Sequence, residues 1–116
     1  MQILIETDHN LNGGESLGDS VRATIEDALS RFSAHITKVE VHLGDENAAK
    51  RGEADKRCMI EARLEGYRPI AVTHHAATVA EALDGAAERM VHRLDHTLGR
   101  LQDQRRHGNP APLEPD

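Results

Sequence analysis

The chain has 116 residues, which suits a single domain, and its formal net charge of -6 makes it acidic on average. Its one cysteine excludes an internal disulfide. Neither a signal peptide nor an apolar run of membrane-spanning length is recognisable, so we expect a soluble cytoplasmic protein without a membrane partner. With one Phe and one Tyr, the chain lacks the aromatic surface on which readers of single-stranded RNA usually stack bases.

The first two predicted elements are a strand and a helix. Ile3 and Ile5 alternate with polar residues and predict a strand over residues 2–8. Apolar residues then recur at helical spacing, which predicts a helix that begins at Ser16 and runs to about residue 33. Ser16 with Asp19 resembles an N-terminal capping pair.

Three strands and a long helix complete the pattern. Alternation of apolar and polar residues predicts strands over residues 38–43, 57–65 and 69–76. Thr78 and Glu81 repeat the capping signature before a helix that begins at residue 79 and runs to about residue 104.

The element order βαβββα predicts an α+β fold, a two-layer sandwich in which two helices cover one face of a four-stranded mixed sheet. The first two strands should be parallel because a helix joins them, whereas hairpins should make the others antiparallel. Residues 1–104 are expected to form the domain. Residues 105–116 contain three prolines and no periodicity, and are predicted to be a disordered tail.

The last predicted helix sorts its charges onto separate faces. Projection at about 100° per residue separates an apolar stripe, a cationic stripe and an acidic flank. The apolar stripe contains Val79, Leu83, Ala87, Met90, Leu94, Leu98 and Leu101. The cationic stripe contains Arg89, His92, Arg93, His96, Arg100 and His107. The acidic flank contains Glu81, Asp84, Glu88 and Asp95. A helix that is merely solvated would more often mix the signs at i,i+4 spacing, so the cationic stripe is a candidate binding surface for an anion.

A simpler explanation for arginines near a helix C-terminus is that they stabilise the helix dipole. That explanation fits any one of them well. It fits the group poorly, because the influence of the dipole falls off within the last turn and Arg89 lies well before it. Both interpretations therefore stay open on the pattern alone.

Histidines and acids suggest metal sites only weakly. His92 and His96 have i,i+4 spacing, but no carboxylate or thiolate completes a zinc site in the sequence. The acidic segment 45–47 lacks the spacing of a calcium loop, and a solvated hairpin is the better interpretation of it. The connection over residues 45–55 is long for a hairpin, so it is either mobile or useful.

Three other observations bear on chemistry. His74 and His75 are adjacent on a predicted strand and should point to opposite faces. Cys58 shares the apolar phase of its strand, which indicates a buried and unreactive thiol. Neither a phosphate-binding loop nor a nucleophile motif is recognisable. We therefore expect no enzyme activity, catalytic residue, cofactor, metal or small-molecule substrate.

Several stretches together are similar to the ribosome hibernation and ribosome-associated translation inhibitor proteins, also called sigma-factor modulation proteins. The resemblance covers residues 1 to about 104. It rests on the stretches MQILIETDHN, RFSAHITKVEVHLGDEN, DKRCMIEARLEGYRPIAVTHHAAT and LGRL. It implies a βαβββα fold similar to double-stranded RNA-binding domains, and a factor that sits in the messenger and transfer RNA channel of the small ribosomal subunit and silences idle ribosomes. It also implies a short, single-domain form, because the second domain of longer members is lacking.

The resemblance also implies which residues contact ribosomal RNA. Family members use Lys and Arg on the exposed faces of both helices, and the matching positions on the last helix are Arg89, His92 and His96, with Arg93 and Arg100 beside them. On the first helix, Asp27 and Ser30 occupy positions that are usually basic in the family. Arg22 and Arg31 are the nearest cations there.

These observations favour a stress-response factor that binds small-subunit ribosomal RNA and blocks the channel for transfer and messenger RNA. The alternative is a protein-interaction or stress-regulatory module of the same fold that has lost ribosome binding. The acidic first helix suggests this alternative. Such a module could pair through the open sheet face around Lys38, Glu40, Met59 and Arg63. The oligomeric state is left as a monomer or a weak homodimer.

Overall fold

A computed structural model describes residues 1–8, 14–46 and 55–106 and has the predicted element order. The strands are β1 (Gln2–Thr7), β2 (Ile36–Asp45), β3 (Lys56–Leu64) and β4 (Ile70–Ala76). The helices are α1 (Gly14–Leu29), which continues into a short 3-10 helix (Ser30–Phe32), and α2 (Val79–Arg106).

The four strands form one mixed sheet in the order β1-β2-β3-β4. β1 and β2 are parallel, with Ile3 opposite Val39. β2, β3 and β4 are successively antiparallel, and Val41, Ile60 and Val72 lie side by side across them. The sheet therefore ends in β4 on one side and in β1 on the other. The predicted α+β sandwich is confirmed.

The core lies between one face of the sheet and the two helices. α2 packs over β3 and β4, whereas α1 lies beside α2 and contacts β1. The alternating apolar residues of the strands meet the apolar stripes of the helices. The largest fully buried side chains are Ile25, Leu29, Ile60, Met90, Leu94, Val21, Val39, Val41 and Cys58. The opposite face of the sheet is not covered by any described residue.

The start of α1 differs from the prediction. The helix begins at Gly14, so Ser16 lies within the first turn and the expected cap formed by Ser16 and Asp19 is wrong. Gly14 has a φ of 54°, which is a left-handed conformation that favours glycine. The first described residue of the helix is therefore a glycine in a left-handed conformation.

The start of α2 confirms the prediction. The Thr78 hydroxyl accepts a hydrogen bond from the Glu81 backbone N–H at 3.1 Å, and the Thr78 carbonyl accepts one from Ala82 N–H at 3.0 Å. The helix continues to Arg106, slightly past the predicted limit. The rest of the predicted tail, residues 107–116, lies outside the described residues, as does His107.

Cys58 lies in the core, as its position on the strand predicts. Its side chain is fully buried, and burial raises the pKa of the thiol to about 12. The thiolate, which is the reactive form of cysteine, is therefore scarce at neutral pH. None of the helices in the described part of the chain combines the length and apolar character needed to cross a bilayer.

Candidate nucleic-acid interface

The cationic stripe of α2 lies on the side of the helix next to β4. Arg89, His92, Arg93 and His96 are exposed, and Arg100 is half-buried. The helix is held in this rotation because Met90 and Leu94 point into the core and are fully buried. The packing of the apolar stripe therefore fixes the side of α2 on which the cations lie.

Two cavities adjoin this stripe. The first, of about 400 Å³, lies between Arg89, His92 and Arg93 on α2 and residues 71–73 on β4. The second, of about 380 Å³, lies nearer the end of α2. It is lined by Tyr67, Arg68, Pro69, Ile70, Arg93, His96, Thr97 and Arg100.

Arg93 lines both cavities, which therefore lie next to each other along the line where α2 meets β4. We call this pair of cavities the β4–α2 groove. The helical rise of 1.5 Å per residue gives about 16 Å along the axis from Arg89 to Arg100. None of the described residues that line the groove is an aspartate or glutamate.

Within the described residues, five lysines and arginines outside the groove have a carboxylate partner, whereas Arg22 is bonded to a backbone carbonyl. Arg31, Lys56 and Arg57 each lie within 4.0 Å of a carboxylate, as do Lys38 and Arg63. In that same part of the chain, no carboxylate pairs with Arg68, Arg89, His92, Arg93 or His96. The groove therefore presents positive charge that the described part of the protein does not neutralise.

The two cations predicted on the first helix do not line the groove, and Arg31 lies in the short 3-10 helix that follows α1. Arg22 donates a hydrogen bond to the Ile3 carbonyl of β1 at 3.1 Å. Arg31 pairs with Asp95 of α2 at 2.7 Å, and its guanidinium lies 4.4 Å from the centre of the Phe32 ring. Of the seven predicted contact residues, five line the groove and these two lie elsewhere.

Arg68 lines the groove but was not among the predicted contact residues. It lies in the turn between β3 and β4, within the stretch GYRP, whose glycine and proline are typical of a turn. The pairing of β3 with β4 and the packing of α2 on both strands bring this turn next to Arg93 and Arg100. Only the basic character of Arg68 in the sequence could have drawn attention to it.

The open face of the sheet has a different electrostatic character. Its charges form ion pairs, including Lys38 with Glu40 at 3.2 Å, His42 with Glu6 at 3.0 Å and Arg57 with Glu46 at 3.2 Å. The hydrogen bond from Lys38 lowers the pKa of Glu40. Leu4 on this face is 40% exposed. The face is therefore nearly balanced in charge, unlike the groove.

The two adjacent histidines of β4 point to opposite faces, as predicted. His75 lies 3.0 Å from Glu46 on the open face. His74 lies on the helix side, where its ring packs against Gly85 of α2.

The acidic segment considered for a hard cation is occupied by protein groups. The Lys56 ammonium lies 3.3 Å from Asp45 and 3.1 Å from Asp55, and the hydrogen bond to Asp55 raises the pKa of Lys56. Glu46 contacts Arg57 and His75, and Asn47 lies outside the described residues together with most of the 45–55 connection. Residues 1–8, 14–46 and 55–106 contain no group of three or more His, Cys, Asp or Glu side chains that could hold a metal ion.

Comparison with known proteins assigns the fold to a family. Residues 7–102 match the family model described as Sigma 54 modulation protein / S30EA ribosomal protein. The chain belongs to this family. The match runs from the end of β1 to residue 102 of α2 and confirms the resemblance found in the sequence. No curated protein sequence matches the chain.

Two solved structures share the fold. The N-terminal domain of Thermus thermophilus Protein Y aligns with a TM-score of 0.58 at 21% identity and covers 83% of this chain and 98% of that domain. A ribosomal subunit interface protein from Coxiella burnetii aligns with a TM-score of 0.64 at 13% identity and covers 85% of this chain and 99% of that one. The similarity at such low identity extends over nearly the whole of both structures.

Proposed function

We propose that the protein associates with the ribosome by binding ribosomal RNA of the small subunit through the β4–α2 groove. The observation that carries this proposal is that no carboxylate among the described residues pairs with the groove residues Arg68, Arg89, His92, Arg93 and His96. Membership of the family supports it, as does the similarity in fold to a ribosomal subunit interface protein. On the ribosome, the protein would block the channel for messenger and transfer RNA and perform no chemistry.

The groove suits phosphates rather than base edges. Arginine presents a planar fork of N–H groups that matches phosphate oxygens, and phosphate contacts fix a protein on RNA without reading its sequence. Aromatic side chains are almost absent, so recognition by stacking of bases contributes little. If about four phosphates are neutralised, the logarithm of affinity falls with the logarithm of salt concentration at a slope of about -3 to -4.

The test is co-sedimentation of the purified protein with small ribosomal subunits at several salt concentrations. Combined charge reversal of Arg89, Arg93 and Arg100 to Glu should abolish binding. The matched control reverses Lys38, Arg57 and Arg63, which changes the net charge equally on the open face of the sheet. The control should keep most of the affinity, and circular dichroism should show that both variants fold.

Two results would contradict the proposal. If the groove variant binds subunits as the wild type does, the groove is not the RNA site. If only the open-face variant loses its partner, the protein is instead an interaction module that uses the sheet.

Channel blocking is tested separately. Subunits loaded with the wild-type protein should bind less transfer RNA than free subunits, and unchanged binding of transfer RNA would contradict channel blocking.

A further inference from the structure

The turn between β3 and β4 forms a second wall of the groove. Tyr67, Arg68 and Pro69 line the same cavity as Arg93 and Arg100 on α2. α2 therefore forms one side of the groove. β4 lines the groove opposite α2, and the turn continues that lining at the end of the groove near Arg100.

The turn is held in place by its backbone. Gly66 has a φ of 76°, and the Tyr67 N–H donates a hydrogen bond to the Leu64 carbonyl at 3.4 Å. The Glu65 N–H donates to the His35 carbonyl at 3.1 Å, which ties the turn to the segment before β2. Pro69 then restricts the backbone as the chain enters β4. The backbone that carries Arg68 is therefore held in place by the fold of the protein.

We infer that Arg68 contacts the phosphodiester backbone of a single RNA strand that lies lengthwise in the groove, with the arginines of α2 on its other side. This inference rests on the proposed function. It extends the RNA contact from one face of α2 to the turn between β3 and β4 as well. Arg68 is exposed and has no ion-pair partner among the described residues, so its fork is available to a phosphate.

Two physical arguments favour a strand held between walls over a strand resting on α2. Opposed cations attract the same phosphates from both sides, and a cleft lined by one sign of charge concentrates the electrostatic potential more than a convex helix does. The groove is also about 16 Å long at a helical rise of 1.5 Å per residue, so a strand lying along it can meet several cations in turn.

The experiment compares Arg68→Ala and Arg68→Lys with the wild type for affinity to small subunits over a range of salt. Arg68→Ala should weaken binding about tenfold, as expected for the loss of a hydrogen bond to a charged group. The salt slope should become shallower by about 1, because one phosphate contact is lost. Arg68→Lys should keep the slope but recover only part of the affinity, because lysine keeps the charge and loses the fork.

Arg63→Ala is the matched control, since Arg63 is another exposed arginine but lies on the open face of the sheet, with 51% of its side chain exposed. It should bind within about twofold of the wild type, because rim charges outside the contact contribute little. Thermal unfolding of all variants checks that the turn remains folded.

The outcomes separate this inference from the proposed function. If charge reversal on α2 abolishes binding and Arg68→Ala does not weaken it, RNA contacts α2 alone and this inference is wrong while the proposed function stands. If Arg68→Ala weakens binding at an unchanged salt slope, Arg68 acts on the turn rather than on a phosphate, and the inference is also wrong. If neither variant changes binding, the proposed function itself fails.

Discussion

The contact between Gly85 and His74 shows how a single residue fixes the distance between α2 and β4. A Cβ atom added at Gly85 would collide with the His74 ring, whereas one added at Gly99 on the same helix would meet nothing within 4 Å. Helix propensity alone favours Ala over Gly by about 1 kcal/mol. The two glycines of one helix should therefore respond to the same substitution with opposite signs.

We predict that Gly85→Ala destabilises the protein by about 1–3 kcal/mol, because the His74 ring must leave its position. Gly99→Ala should stabilise it by up to about 1 kcal/mol. In a His74→Ala background, Gly85→Ala should no longer be destabilising. Urea unfolding measures all of these free energies, and an equal cost in both backgrounds would show that His74 is not the cause.

At the scale of single residues, the sequence predicts which way a side chain points better than it predicts which residues that side chain contacts. Alternation along β3 and β4 places Cys58 in the core and His74 and His75 on opposite faces, because strand geometry is local. The partners of Arg31 and Arg68 are not local. Arg31 lies 64 positions from Asp95, and Arg68 meets α2 only through the pairing of β3 with β4. Local patterns in the sequence do not indicate which residues so far apart along the chain come into contact.

At the scale of elements, the two helix starts show when a capping signature is reliable. Thr78 and Glu81 form the expected cap, whereas Ser16 and Asp19 match the same signature inside a helix that has already begun at Gly14. The signature describes only the hydrogen bond that a side chain can offer, and the backbone conformation decides where the turn begins. At α1 the left-handed conformation of Gly14 places the helix start two residues before Ser16.

We predict that Thr78→Ala lowers the free energy of unfolding by about 1 kcal/mol, because the Glu81 N–H loses its acceptor. Thr78→Asn should stay close to the wild type, since Asn also caps helices. Ser16→Ala is the control and should cost nothing, because alanine is the better residue within a helix. A loss of about 1 kcal/mol in Ser16→Ala would instead indicate that Ser16 caps α1.

At the scale of the whole molecule, the negative net charge does not show that positive and negative side chains lie on different surfaces. The formal net charge is -6, yet the described residues that line the β4–α2 groove include no acid. The open face of the sheet pairs its charges, and Asp95 of α2 is engaged by Arg31. The sequence could predict the cationic stripe from helical geometry. It could not predict that β4 and its turn convert that stripe into a groove.

We predict that docking depends on pH because His92 and His96 lie in the groove. Protonated imidazole becomes more abundant as pH falls from about 7.5 to 6, and a phosphate beside it favours the protonated form. His92 and His96 face only arginines and neutral groups among the residues lining their cavities. Affinity for small subunits should therefore rise over this range as pH falls.

The combined change of His92 and His96 to Gln should flatten this response. The matched control changes His42 and His75 to Gln on the open face, where each lies beside a carboxylate. That control should keep the pH dependence of the wild type. A flat wild-type profile between pH 7.5 and 6 would show that the groove histidines take no part in docking.

The position of β4 at the end of the sheet has a consequence for self-association. An exposed strand edge invites the strand of another molecule, and proteins often prevent this by placing charge beside the edge. Arg89 and Arg93 stand beside β4, so two copies that approach edge to edge repel each other. Substitution of these arginines by neutral residues would remove the repulsion and favour aggregates, whereas glutamate at both positions would preserve it. We expect that the arginines assigned to RNA also hinder pairing between the β4 edges of two copies of the free protein.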